Sequence, residues 1–302
     1  MTRRSQIIEE VLADLERLKN DRSQDLDLQY AVQENIRFFE AAKHPFSFLR
    51  WQLFVAPNID ASRLLELADL SLPKWETVLY EGLRRMERKK FPGLLTPLVK
   101  TLVSMPGIVY LDVGCGAMET ERQVIELLSK RNDTAPRVFV GVDQSPASYD
   151  VINETFSEII DRVEIVKIAD RDRESLLAAL KPGSKHRIVF VEADALELEK
   201  WLSAQEVDIV YSSRFKHHLP EALKRQMDES LKKVGKFVLE YDDYRTSLSW
   251  IQQTLAAWSR PVLLNGALLS RLRQPSKKEL KAQRGKGDIH FFSPPGSYIK
   301  HL

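Results

Sequence analysis

The chain of 302 residues is 43% hydrophobic and carries a formal net charge of +2, which allows one large buried core or two smaller ones. Its single cysteine, Cys115, excludes an internal disulfide and fits a reducing compartment. No apolar run approaches the ~20 residues that cross a bilayer. The N-terminus has no apolar signal region, and no cysteines and histidines are spaced as zinc ligands. We therefore expect a cytoplasmic protein with neither a membrane partner nor a metal site.

The first part of the chain, residues 1–100, is predicted to be an all-helical cap region. Apolar residues three and four positions apart predict a helix over 5–20, and two more helices are expected near 25–43 and 73–90. The aromatic-rich segment 46–55 is interpreted as the core of this region or, alternatively, as a wall of a ligand pocket.

A glycine turn follows the first predicted strand. Residues 108–113 are apolar and rich in β-branched side chains except for Asp112, and Gly114, Cys115 and Gly116 come next, before a helix. This order predicts a buried strand, a tight turn and a helix N-terminus that offers its N–H groups to a ligand. Cys115 is interpreted as a small residue that such a turn accommodates.

Two acids near the turn indicate the charge of this ligand. Asp112 would face a cationic group. Glu119 stands where the pattern Gly-x-Gly-x-x-Gly has its third glycine, so a pyrophosphate would meet its negative charge. Both acids argue against NAD and favour a ligand with an amine and a sulfonium, bound at Gly114, Cys115 and Gly116.

The second strand, near 137–143, ends at Asp143, and Gln144 and the helix start Ser145-Pro146 follow it. In a Rossmann-like fold, an acid at the tip of the second strand accepts hydrogen bonds from the two ribose hydroxyls. We predict this role for Asp143, with a helix-capping role as the alternative.

Two segments compete for the third strand. Residues 187–195 form an apolar run that reaches Asp194, whereas residues 163–170 form a run that ends at Asp170. We prefer the strand that leads to Asp194, because the next strand follows it after one short helical turn. Residues 151–180 would then form a long or broken helical crossover.

The fourth strand, 207–211, leads into a loop that contains Ser212, His217 and His218. A helix and a fifth strand near 236–241 follow. Because ligands bind beyond the carboxyl ends of the strands in open α/β sheets, the five strand ends should converge on one crevice.

These segments resemble the class I S-adenosylmethionine-dependent methyltransferases. Asp112, Gly114 and Gly116 match the first motif of that family, with Met118 in place of its third glycine. The resemblance implies an α/β fold in residues 101–302, with a Rossmann-like seven-stranded, mostly parallel sheet and helices on both faces. It also implies S-adenosyl-L-methionine as the cofactor.

Further roles follow from this resemblance alone. The carboxylate of Asp194 would accept a hydrogen bond from the adenine amino group, and the N–H of Ala195 would reach the ring. Ser212 is assigned to the same cofactor site. Met118 is expected to narrow the space near the methionine end of the cofactor, and Gln144 stands where an apolar residue commonly covers the adenine.

The resemblance implies transfer of a methyl group to an oxygen or nitrogen atom of a small-molecule acceptor. His217 and His218 are the candidate general bases, because histidine titrates near neutral pH. Each of them could instead pack against or cap the following helix. The acids and tyrosines at 241–244 could hold a cationic acceptor or form a solvated strand end.

Two alternatives remain open. The basic segment 271–286 could bind phosphates, which would indicate an RNA methyltransferase, but it lacks the interleaved aromatic residues that stack on bases. We favour a solvated surface for it. The departures at Met118 and Gln144 also permit a cofactor-fold protein that binds a partner without transferring a methyl group.

Overall fold

The computed structural model describes residues 3–21, 25–60, 63, 65, 70, 72–85, 88, 93–168, 172–245, 260–282, 288–292 and 297–302. The chain falls into two compact units, the helical unit (Met1–Leu79 and Tyr244–Lys277) and the sheet unit (Tyr80–Asp243 and Lys278–Leu302). This division differs from the predicted one at residue 100. Residues 80–100 lie in the sheet unit, and residues 244–277 lie in the helical unit.

The helices are α1 (Arg3–Asp21), α2 (Leu26–Ala42), α3 (Pro45–Arg50), α4 (Pro73–Arg85), α5 (Thr96–Ser104), α6 (Glu119–Lys130), α7 (Pro146–Phe156), α8 (Arg173–Ala179), α9 (Glu221–Val234), α10 (Pro261–Arg273) and α11 (Lys277–Ala282). The strands are β1 (Val109–Val113), β2 (Val138–Asp143), β3 (Val163–Ile168), β4 (His186–Glu192), β5 (Val207–Ser213), β6 (Gly235–Asp243), β7 (Ile289–Phe292) and β8 (Ser297–His301).

The first helices of the chain are amphipathic, as the sequence predicts. In α1, Val11 and Leu15 lie four residues apart and are fully buried. Phe38 of α2 makes edge-to-face contacts with Phe48 and Trp51, at ring centroid distances of 5.7 and 5.2 Å. These rings of the aromatic-rich segment therefore belong to the core of the helical unit, as one of its two interpretations expected.

The sheet unit contains one eight-stranded sheet in the order β3-β4-β2-β1-β5-β6-β8-β7. The first six strands of this order pair in parallel, and β8 pairs antiparallel with both β6 and β7. The chain moves outward from β1 on one side through β2 and on the other through β5. This reversal is the topological switch point at which open α/β sheets bind ligands.

The predicted number of seven strands is wrong, because residues 163–168 form a parallel edge strand beside β4. Four of its six residues are β-branched Val or Ile, which favours a strand over the broken helical crossover that we expected. The mostly parallel sheet and the N-terminal helices are as predicted. In the C-terminal region, Ser297–His301 also forms a strand that the sequence did not indicate.

Helices cover both faces of the sheet because alternate residues of the central strands are apolar on each side. Along β4, Ile188 and Phe190 belong to one hydrophobic core, whereas Val189 and Val191 belong to the other. Strands buried on both faces have near-continuous apolar sequences, as this one does. Within the described part of the chain, no helix combines the length and apolarity needed to cross a membrane.

Candidate functional site at the carboxyl ends of the strands

The glycine turn after β1 is held by hydrogen bonds to the end of β2. The N–H groups of Gly114 and Cys115 donate to the carbonyl oxygen of Val142 at 2.8 and 3.2 Å, and the N–H of Gly116 donates to Asp143 Oδ2 at 2.9 Å. Gly114 and Gly116 have positive φ angles of 72° and 49°. These N–H groups are already hydrogen-bonded within the protein. A ligand at the turn would therefore be recognised by the shape of the turn and by the charges around it.

Met118 does not narrow the turn, contrary to the sequence-based expectation. It holds the left-handed backbone of a third glycine, with a φ of 53°, but its side chain is fully buried. It packs against Gly141 of β2, where an added Cβ would lie 2.8 Å from the sulfur of Met118 and 2.7 Å from that of Cys115. Gly141 thus leaves room for both sulfur-containing side chains beneath the turn.

Replacing Gly141 with alanine should lower the free energy of unfolding by about 1–3 kcal/mol, because the new methyl group overpacks the space that the two sulfur atoms fill. Thermal or denaturant unfolding measures this loss. Gly93→Ala is the matched control, since its Cβ would come no closer than 3.9 Å to Thr96 Oγ1. Equal stability of both variants would contradict this packing.

Asp143 joins the glycine turn to the loop after β2. Its Oδ1 accepts from the N–H of Ser145 at 2.9 Å, while its Oδ2 accepts from Gly116. Burial raises the pKa of Asp143, and the backbone hydrogen bonds oppose that rise. A carboxylate has about four acceptor sites, so a hydroxyl group could still bind to it beside the N–H groups and the hydroxyl of Ser148. Gln144 is exposed beside it.

Asp194 follows β4, and β4 pairs directly with β2, as the preferred interpretation of the third strand requires. Asp170 lies outside the described residues. Asp194 Oδ1 accepts from the N–H of Leu196 at 2.8 Å and so caps the short helix that begins at Ala195. The N–H of Ala193 donates to the carbonyl oxygen of Asp143, which brings the ends of β2 and β4 together.

A buried pair of carboxyl groups lies beside the turn. Asp112, in β1, and Glu121, in α6, are 3% and 0% exposed, and the hydroxyl of Tyr211 donates to Glu121. Burial raises the pKa of Asp112, and the charge of Glu121 and a hydrogen bond between the two groups raise it further. Burial also raises the pKa of Glu121. The pair would be stabilised by a nearby cation.

Glu121 was missed in the sequence, although a signal for it was present. It shares the buried face of α6 with Val124, Ile125 and Leu128, at the three- and four-residue spacing of an amphipathic helix. A glutamate on an otherwise apolar face needs a specific partner, which here is the carboxyl of Asp112.

The charge of Glu119 does not face a ligand, which corrects the argument that it would repel a pyrophosphate. Its Oε2 accepts from Arg88 Nε at 2.9 Å, and its Oε1 pairs with Arg122. Two guanidinium groups therefore compensate this buried carboxylate. The negative potential at the turn comes instead from Asp112, Glu121 and Asp143.

Replacing Glu121 with glutamine should stabilise the unliganded protein by about 1–2 kcal/mol at neutral pH, because one of two adjacent buried acids is removed. Both acids have raised pKa values in the folded state, so the folded chain binds protons that the unfolded chain has released. Stability therefore falls as pH rises above the ordinary carboxyl range, and this fall should be smaller in the variant. Denaturant unfolding from pH 5 to 8 measures it, with the exposed Glu229→Gln as control. If Glu121→Gln were less stable than the wild type, the conclusion that the two adjacent acids destabilise the unliganded protein would be wrong.

His217 forms a buried pair with Asp242 at the end of β6. Its Nδ1 lies 2.8 Å from Asp242 Oδ2 and 3.0 Å from Oδ1, and the two residues are 5% and 2% exposed. Burial alone would raise the pKa of Asp242, but the charge of His217 and its hydrogen bond lower it. The ring of His218 lies 4.3 Å from that of His217, centroid to centroid.

The acids at the end of β6 are partnered rather than solvated. Asp242 holds His217, and Asp243 Oδ2 lies 3.3 Å from Arg214 Nε. Lys216, which the sequence analysis overlooked, is buried between Glu240 and Asp228 and fixes the short helix that carries His217. These contacts join the end of β6 to the loop after β5.

Ser212 and the basic segment 271–286 are the remaining groups that the sequence analysis singled out. Ser212 is buried at the end of β5, where it pairs with Val113 of β1. In the basic segment, Arg271 is 1% exposed and Lys278 is exposed, so the segment is not a uniform basic surface. Arg284 and Lys286 lie outside the described residues. No group of three or more His, Cys, Asp or Glu side chains in the described ranges could hold a metal ion.

The similarity of this chain to known proteins is a similarity of fold. No family model matches the sequence, and a comparison with curated proteins found no match. The chain is similar to the solved structure of the CurJ carbon methyltransferase, with a TM-score of 0.50 and 11% identity, over 95% of this chain and 70% of that one. It has the fold of the class I methyltransferases.

Two further structures are similar at lower scores. An O-methyltransferase family protein from Burkholderia thailandensis gives a TM-score of 0.46 at 11% identity, over 91% of this chain and 71% of that one. The small RNA methyltransferase HEN1 gives 0.46 at 14% identity, over 70% of this chain and 25% of that one. At such identities the likeness extends to the fold alone.

Proposed function

We propose that this chain binds S-adenosyl-L-methionine at the glycine turn and transfers its methyl group to an oxygen or nitrogen atom of a small-molecule acceptor. The observation that carries the proposal is the set of three carboxyl groups at the turn, Asp112, Glu121 and Asp143. This set suits a cationic nucleoside and opposes a pyrophosphate.

The carboxyl groups at the turn fit such a cofactor. Apart from the contact between the two carboxyls, Asp112 Oδ1 and Glu121 Oε2 accept no hydrogen bond from the described residues. Their charge would therefore be balanced by the cations of the cofactor. Asp143 would accept from the ribose hydroxyls, and Asp194 and Ala195 would contact the adenine. When bound, the cofactor would supply an electrophilic methyl group on a sulfonium.

The His217–Asp242 pair would act on the acceptor. Asp242 holds Nδ1 of the imidazole, so Nε2 is the atom that would take the proton of an acceptor hydroxyl or ammonium group. The acceptor would then present a lone pair to the methyl group that the cofactor supplies. The imidazole would take up the proton, so positive charge is moved rather than lost, and alignment of the groups can supply up to ~7–11 kcal/mol of the acceleration.

Transfer of a labelled methyl group from S-adenosyl-L-methionine tests the proposal. The protein would be incubated with pooled small metabolites and, separately, with pooled RNA. We expect label in the metabolite pool, and the proposed acceptor class would be wrong if label entered only RNA, with activity that falls steeply as salt increases. Cofactor binding without transfer to any pool would favour the inactive binding protein instead. The cytoplasmic location remains a prediction.

A further inference from the structure

Two aromatic rings meet the glycine turn at its two glycines. A Cβ added to Gly114 would lie 2.2 Å from Phe215 Cγ, so the ring of Phe215 packs directly on the Cα of this glycine. A Cβ added to Gly116 would lie 3.6 Å from Tyr80 Cε1, which is van der Waals contact. The turn motif does not predict either contact, because Phe215 lies beyond β5 and Tyr80 lies in α4.

Ion pairs within the sheet unit hold Tyr80 at this position. Arg84, one helical turn after Tyr80, pairs with Glu154 of α7. Arg88, eight residues after Tyr80, donates to Glu119 at the start of α6 and to the carbonyl oxygen of Thr155. Arg84 and Arg88 are mostly buried, with side chains 9% and 18% exposed. Arg84 and Arg88 therefore connect the segment that carries Tyr80 to α6 and α7.

The surroundings of the two rings favour a cation. Asp112, Glu121 and Asp143 lie around the turn, and the guanidinium groups of Arg84 and Arg88 are paired with carboxylates. The face of an aromatic ring carries negative charge and attracts a cation within about 6 Å of its centre. A neutral thioether of the same shape gains no such attraction.

We propose that Tyr80 and Phe215 form an aromatic pair that recognises the sulfonium charge and so distinguishes S-adenosyl-L-methionine from its product, S-adenosyl-L-homocysteine. This inference rests on the proposed function and deepens it. The two molecules differ by the methyl group and the positive charge of the sulfur. A residue that merely covers the turn would contribute equally to the affinities for the two molecules. These rings should contribute more to the affinity for S-adenosyl-L-methionine, because only its sulfur is positively charged.

Calorimetric titration of the full chain with each of the two compounds tests the pair. In Tyr80→Leu, the ratio of the two affinities should shift against S-adenosyl-L-methionine by about tenfold, which equals about 1.4 kcal/mol. Tyr80→Phe, which keeps the ring, should retain the ratio of the wild type. Phe215→Leu should shift the ratio in the same direction as Tyr80→Leu.

Tyr149→Leu is the matched control. Tyr149 is also a partly buried helical tyrosine, but its ring lies against Phe190 and Lys167 rather than the turn. The inference is overturned if Tyr80→Leu and Phe215→Leu weaken both compounds equally or neither of them. A wild-type chain that binds neither compound would instead contradict the proposed function itself.

Discussion

Replacing Asp143 with alanine should lower the affinity for S-adenosyl-L-methionine by roughly 10²- to 10⁴-fold. Two hydrogen bonds from ribose hydroxyls to a charged acceptor are each worth about 1.5–3 kcal/mol. The variant also loses the contacts that fix Gly116 and Ser145, so the turn itself becomes less ordered. Calorimetry measures the affinity, and circular dichroism should show that the sheet remains folded.

Asp143→Asn separates these contributions. It retains one oxygen acceptor but loses the charge, so its affinity should lie between those of the wild type and Asp143→Ala. Asp150→Ala is the matched control, because Asp150 is an exposed acid on α7. Wild-type affinity in the folded Asp143→Ala variant would show that the end of β2 does not bind the ribose.

Replacing His217 with alanine should lower the rate of methyl transfer by roughly 10²- to 10⁴-fold, the usual contribution of a general base. Cofactor affinity should change little, because the imidazole would contact the acceptor. Transfer of a labelled methyl group measures the rate, and calorimetric titration measures the cofactor affinity.

Two further variants identify the histidine that acts. Asp242→Asn should also lower the rate, because Asp242 orients the ring through Nδ1. His290→Ala, which removes an exposed histidine of β7, should leave the rate unchanged. If His218→Ala lowers the rate to this extent and His217→Ala does not, the base would be assigned to the wrong residue of the two.

Much of the sheet could be predicted because its strands are buried on both faces. The apolar runs that end at Asp112 and Asp143 form β1 and β2, and the run that leads to Asp194 forms the strand that pairs with β2. The edge strand β3 was considered only as the competing choice for the third strand, and it forms a strand in addition to the preferred one. Two of its six residues are charged, and the sequence alone does not show that it pairs with β4.

The motif residues of the site could be predicted, but their partners could not. Asp112 is read from the turn motif, whereas Glu121 reaches it from the next helix and Tyr211 from β5. His217 was a candidate base, but nothing in sequence spacing pairs it with Asp242, 25 residues further on. Such contacts depend on strand order, which sequence periodicity does not specify.

Calorimetric titration of the wild-type chain with S-adenosyl-L-methionine and with NAD tests the central claim most directly. The carboxyl groups of Asp112, Glu121 and Asp143 should favour the cationic ligand, so we predict saturable binding of S-adenosyl-L-methionine and none of NAD. Tighter binding of NAD, or no binding of S-adenosyl-L-methionine at millimolar concentration, would contradict it.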